Sequence, residues 1–97
     1  MQDVTEVYSV TARVELFPQQ GGWYYVRVPR EITEDVAGLA DRGLVAITAR
    51  LARSEWATSL LPMGDGTQFI ALNARVRGAN GITVGDEVTV SFQTRRR

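Results

Sequence analysis

The stretch Glu6-Val7-Tyr8-Ser9-Val10-Thr11-Ala12-Arg13-Val14-Glu15-Leu16-Phe17 sets the reading of the whole chain. Tyr8, Val10, Ala12, Val14 and Leu16 fall on one side of a period-two pattern, and Ser9, Thr11, Arg13 and Glu15 on the other. A strand turns successive side chains to opposite faces, so this pattern describes a strand with one buried face. Pro18-Gln19-Gln20-Gly21-Gly22 then reads as a turn, because proline presets φ and glycine accepts positive φ. Trp23-Tyr24-Tyr25-Val26-Arg27-Val28 is aromatic and β-branched, the composition of a second strand, and the two runs form a hairpin.

Further along, the pattern changes once. Pro29 ends the second strand, and Ile32, Val36 and Leu39 have helical spacing within Arg30–Ala40. Pro29 with Glu31, Glu34 and Asp35 suits a helix start, and Gly43 a stop. Alternation returns from Leu44 to Arg53, with Val45, Ile47, Ala49 and Leu51 expected inward and Thr48 and Arg50 outward. Ser54 is a corner before a strand from Glu55 to Leu61, and Met63-Gly64-Asp65-Gly66 carries an Asp-Gly hairpin signal. Thr67 to Val76 is read as one strand with Ile70, Leu72, Ala74 and Val76 on one face and Phe69, Asn73, Arg75 and Arg77 on the other. Gly78-Ala79-Asn80-Gly81 breaks it, and Val88, Val90 and Phe92 alternate on the last strand. The core is expected over residues 6–93, with 94–97 a flexible basic tail. The expected fold is all-β with one short helix, a small closed six-stranded barrel of Greek-key or double-split type forming one domain.

Composition removes several chemistries. The 97 residues contain no Cys and no His, and all 11 basic residues are Arg. Thiolate chemistry, Cys-ligated zinc, the Ser-His-Asp triad, Schiff-base lysines and a P-loop lysine therefore have no residues to carry them. Neither a metal site nor a cofactor is expected, and no enzyme. Ser59, after Thr58, has no His or Lys to activate it. Asp65 and Asp86 sit in turns, where Asp is common for backbone reasons. No apolar run approaches the ~20 residues that cross a bilayer. The opening Met1-Gln2-Asp3-Val4-Thr5-Glu6 lacks the apolar centre of a secretory signal, so the expectation is a cytoplasmic protein without membrane contact.

Charge argues against strong nucleic-acid binding, since the formal net charge is zero. It is unevenly distributed, however: residues 1–41 carry three Arg against seven acids, or −4, and residues 42–97 carry eight Arg against four acids, or +4. The candidate binding residues are Trp23, Tyr25 and Trp56 as large aromatics, Ser59, and Asn73, Arg75 and Arg77 as a polar strand face. Because both faces of Trp23–Val26 are bulky, one aromatic pair is expected outside the barrel, or under the helix or a neighbouring subunit. The leading expectation is a non-catalytic module for an unidentified ligand or protein partner, with room for a homodimer.

The order of several short motifs carries a resemblance. Gly22-Trp23-Tyr24-Tyr25-Val26 with Val28-Pro29 is followed by Trp56-Ala57-Thr58-Ser59-Leu60-Leu61-Pro62, Gly64-Asp65-Gly66, Val76-Arg77 and Gly81-Ile82 with Val84-Gly85-Asp86. From Tyr8 to Phe92 the chain resembles the bacterial family known as domain of unknown function 1905, which implies a small β-barrel with one short helix and implies no activity. Its Arg77-Gly78-Ala79-Asn80-Gly81 lacks the lysine common in that family's corresponding turn. Gly81-Ile82-Thr83-Val84-Gly85-Asp86-Glu87-Val88 also resembles the closing motif of swapped-hairpin antitoxins and transition-state regulators. That likeness implies the alternative: a dimeric DNA-binding protein with Arg75, Arg77 and the C-terminal arginines on phosphates.

Overall fold

A computed structural model describes residues 6–18 and 22–95. The first run of alternating residues forms two strands, β1 (Val7–Arg13) and β2 (Glu15–Leu16). They are followed by β3 (Tyr24–Val28), α1 (Arg30–Val36) with a short 3-10 turn at Ala37–Leu39, β4 (Val45–Leu51), β5 (Ser54–Pro62), β6 (Gln68–Ala71), α2 (Ala74–Asn80) and β7 (Glu87–Thr94). The sheet order is β1-β7-β4-β5-β6-β3-β2, and the strand pairs among the described residues are antiparallel. The two outermost strands, β1 and β2, are consecutive in the chain, so the sheet curls into a nearly closed barrel.

The bend between β1 and β2 is at Val14. Its N–H donates to Asp86 O (2.8 Å), and its carbonyl accepts from Gly85 N (2.9 Å). The side chain is buried in the core. Before this residue the chain pairs with β7, from Val7↔Gln93 to Arg13↔Glu87, and after it with β3, at Glu15↔Tyr25 and Leu16↔Tyr24. A strand expected to be single is thus divided, giving seven strands where six were expected. The Gly85-Asp86 turn shapes this corner: Gly85 has φ of +94°, and Asp86 Oδ2 accepts from Thr83 N at 2.9 Å.

Alternation on β4 matches expectation, with Val45, Ile47, Ala49 and Leu51 all buried. Val90 and Phe92 of β7, Val26 and Val28 of β3, Leu60 of β5 and Ile70 of β6 complete one core. Each helix adds a buried valine to it, Val36 from α1 and Val76 from α2. At the α1 end, Tyr8 stacks on Phe92 and donates its hydroxyl proton to Asp35 at 2.5 Å, which ties the helix to β1. That bond and burial hold the phenol well above its ordinary pKa. Gln68 also points inward there, buried, with Oε1 lacking a hydrogen-bond partner.

The largest departure from the sequence reading lies between Thr67 and Gly81. The strand ends at Ala71, and Ala74–Asn80 is helical. Asn73 caps α2, its Oδ1 accepting from Val76 N at 2.8 Å. Gly81, at φ +62°, terminates the helix, and Ile82 N donates back to Arg77 O at 3.0 Å. The difference has a physical origin: Ala74 and Val76 continue the period of two begun by Ile70 and Leu72, so the alternation does not mark where strand gives way to helix. Asn73, Arg75 and Arg77 consequently share no strand face. At the C-terminus Thr94 belongs to β7, and Arg95 is held on β4, its N–H donating to Ala46 O at 2.8 Å and its Nε to Ile47 O at 3.1 Å. Residues Met1–Thr5, Gln19–Gly21 of the expected turn, and Arg96 and Arg97 of the expected tail lie outside the described residues.

Candidate functional site

The end of the barrel where β3 begins and β6 runs into α2 carries a groove of about 250 Å³. Gly22, Trp23, Tyr24, Ala71, Leu72, Asn73 and Arg77 line it. Ladder geometry brings these two segments together: Tyr25 pairs with Ala71, and Leu72 N donates to Tyr24 O at 2.8 Å. Asn73, as the helix cap, sits where strand gives way to helix. One turn later α2 brings Arg77 back over β3.

Arg77 is fixed in two ways. Its guanidinium lies 3.8 Å from the centroid of the Tyr24 ring, a cation–π contact, and its Nε donates to Leu72 O at 3.1 Å. Trp23 forms another wall and is 51% exposed, unusual for so large an apolar side chain. Behind it lies an aromatic plate on the outer face of the barrel. Phe17 stacks on Tyr25 (4.2 Å between centroids), and Phe69 meets Phe17, Tyr25 and Trp23 edge-on at 5.2, 5.4 and 6.4 Å. Tyr25 and Phe69 are buried by this plate and stand outside the main core cluster. The expected outer aromatic pair is therefore Trp23 and Tyr25, while Val26 points inward and Tyr24 packs against the core from the other side.

A polar border closes the plate. Glu15 accepts from the Tyr25 hydroxyl (3.1 Å) and from Arg27 Nε (3.0 Å), and Arg27 lies 3.8 Å from Asp65. Burial first, and then the bond to Glu15, raise the Tyr25 phenol above its usual pKa. Asp65 serves its own turn, accepting from Thr67 N at 2.9 Å and from Thr67 Oγ1 at 2.5 Å.

Three of the seven candidate residues, Trp23, Asn73 and Arg77, meet in the groove. The others separate. Tyr25 lies in the plate, and Trp56 is buried in the core opposite Ala49. Ser59 lines a different hollow with Leu39, Arg42, Leu44 and Arg95. Arg75 faces a cleft on the other flank of α2 with Arg53 and Ser54, whereas Arg50 is bound to Glu55 on the surface. Two residues apart on a helix point in roughly opposite directions, so Arg75 and Arg77 cannot follow one phosphate backbone together. Tyr24 and Leu72, which hold Arg77, were not among the candidates; the Asn73…Gly81 cap pair is the signal that would have found the helix joining them.

Together these features define a small, nearly closed antiparallel β-barrel with a groove where α2 meets the sheet. The chain belongs to the family described as Domain of unknown function (DUF1905), whose model matches residues 11–92. A search of curated proteins found no match. The swapped-hairpin alternative is not favoured, because the family model that matches nearly the whole chain is this one and it carries no DNA-binding role. None of the described helices is long and apolar enough to cross a membrane.

Proposed function

We propose that this domain is a non-catalytic binding module whose ligand occupies the groove between Trp23 and Arg77. The observation that carries this reading is the pairing of a half-exposed indole with an arginine already oriented by Tyr24 and Leu72. Concave sites that join apolar walls to a few oriented polar groups are the usual form of a small-molecule site. Orienting Arg77 in advance also reduces the entropy lost when a ligand is held. A non-catalytic role is supported by the absence of His, Cys and Lys and by the use of Asp65 and Asp86 in their own turns.

The test is a fragment screen followed by amide chemical shifts of the labelled protein. The expected result is that hits move the signals of Trp23, Tyr24, Leu72, Asn73 and Arg77 together. Fragments that bind only at the Ser59 hollow or the Arg53–Arg75 cleft would overturn the assignment, as would a screen in which the groove signals never move.

A further inference from the structure

We propose that the groove selects a small aromatic oxyanion, an aromatic carboxylate or an aryl phosphate, with Arg77 taking the anionic group and Trp23 the ring. This inference rests on the binding reading above and adds the chemistry of the ligand.

The first argument is an inventory of donors and acceptors. Among the groove's described lining residues Arg77 carries the one formal charge. Among the described residues the ion pairs are Arg27 with Glu15, Arg27 with Asp65, and Arg50 with Glu55, and none involves Arg77. Its Nε is committed to Leu72 O, which leaves the N–H groups of both Nη atoms. Asn73 has used its Oδ1 on Val76 N, so its Nδ2 remains as a donor. Four main-chain acceptors beside the groove are already engaged: Trp23 O by Phe17 N, Tyr24 O by Leu72 N, Leu72 O by Arg77 and Asn73 O by Arg77 N. The groove thus offers mainly donors and a positive charge, and its complement is an acceptor bearing negative charge.

The second argument is shape. Stacking on Tyr24 covers one face of the guanidinium, so an acceptor must approach along its edge, in the plane. A carboxylate or phosphate can bridge two N–H groups in that direction, which a single point charge does not require. Trp23, braced edge-on against Phe69, supplies an exposed indole for a flat apolar body. The volume, about 250 Å³, is below the ~300–1,000 Å³ common for drug-sized ligands, which points to one small ring system.

The experiment titrates the full chain with naphthoate, phenyl phosphate, neutral naphthamide and inorganic phosphate, following amide shifts and heats of binding. Naphthoate or phenyl phosphate is expected to bind at Trp23 and Arg77 at least about tenfold more tightly than naphthamide, the scale of one charge-assisted hydrogen-bond pair. Arg77→Gln should erase this preference, and Arg77→Lys should restore only part of it, since the charge returns without the planar edge. Trp23→Ala should weaken the oxyanion and the amide alike, and its exposed position keeps the variant folded. Equal binding of naphthamide and naphthoate at the groove would overturn this inference while leaving the binding module standing. Inorganic phosphate binding as tightly as phenyl phosphate would overturn the aromatic part. Silence of the groove signals with every probe would overturn both.

Discussion

The two sides of the barrel are built differently. Strands β1, β7, β4 and most of β5 form a regular side with lengths of 7, 8, 7 and 9 residues. On the other side β2, β3 and β6 have 2, 5 and 4 residues, α2 follows β6 directly, and the aromatic plate lies on the outer face. The regular side buries its aliphatic residues in continuous ladders. The short-stranded side exposes Trp23 and leaves a groove. Long ladders satisfy backbone groups and bury one face completely, whereas a strand that stops early frees its neighbours' side chains to meet something else. The candidate site lies where the ladder stops.

The largest predicted effect tests whether the core belongs to the regular side. Phe92→Ala removes a fully enclosed ring stacked on Tyr8 and should cost about 3–5 kcal/mol, a melting-temperature loss of roughly 15 °C or more for a domain of this size. Phe69→Ala, in the outer plate, should cost distinctly less when both variants are compared by urea titration. Equal losses would mean that the plate is a second core, and the contrast between the sides would fail.

A smaller effect isolates α2. Asn73→Ala removes the cap on Val76 N and should lower stability by about 1 kcal/mol. Hydrogen exchange should quicken first at amides of α2 and the end of β6, leaving β4 and β7 protected. Uniform loss of protection would show that the short-stranded side opens only with the whole domain.

The smallest effect concerns the β5–β6 turn. Bonds from the Thr67 hydroxyl, then from its backbone N–H, hold the exposed Asp65 carboxyl below its ordinary pKa. A lowered folded value contributes stability above the ordinary carboxylate range, and that contribution disappears as pH falls through the lowered value. Asp65→Asn should therefore differ from the parent at about pH 7 and converge with it in strong acid, as followed by urea midpoints. A difference that persists in acid would assign the effect to lost turn geometry rather than to charge.

How much of this was legible depended on element length. On β4 four inward residues in alternation admit one reading, and Val45, Ile47, Ala49 and Leu51 all reach the core. Between Thr67 and Gly81 the alternation of Ile70, Leu72, Ala74 and Val76 runs on past the end of the strand, and only Asn73 and Gly81 mark the two ends of α2. The same alternation placed Arg75 beside Arg77. The composition of the chain marks Trp23 as a large aromatic, while the strand face expected to carry Asn73 and Arg77 does not exist. Trp56 resembles Trp23 in sequence terms, an aromatic on a strand, yet it is buried at 7% exposure against 51%.

The sequence by itself determined a β-rich fold, the inward faces of β4 and β7, the family, and the chemistries closed to a chain without Cys, His or Lys. Those properties follow from composition and from local periodicity, which each residue carries with it. Tertiary structure alone decided the bend at Val14, which tryptophan faces solvent, and the meeting of Trp23 with Asn73 and Arg77. Such juxtapositions join residues about fifty positions apart through strand register and helix phase, and both are set by how the ladders pack together rather than by any local pattern.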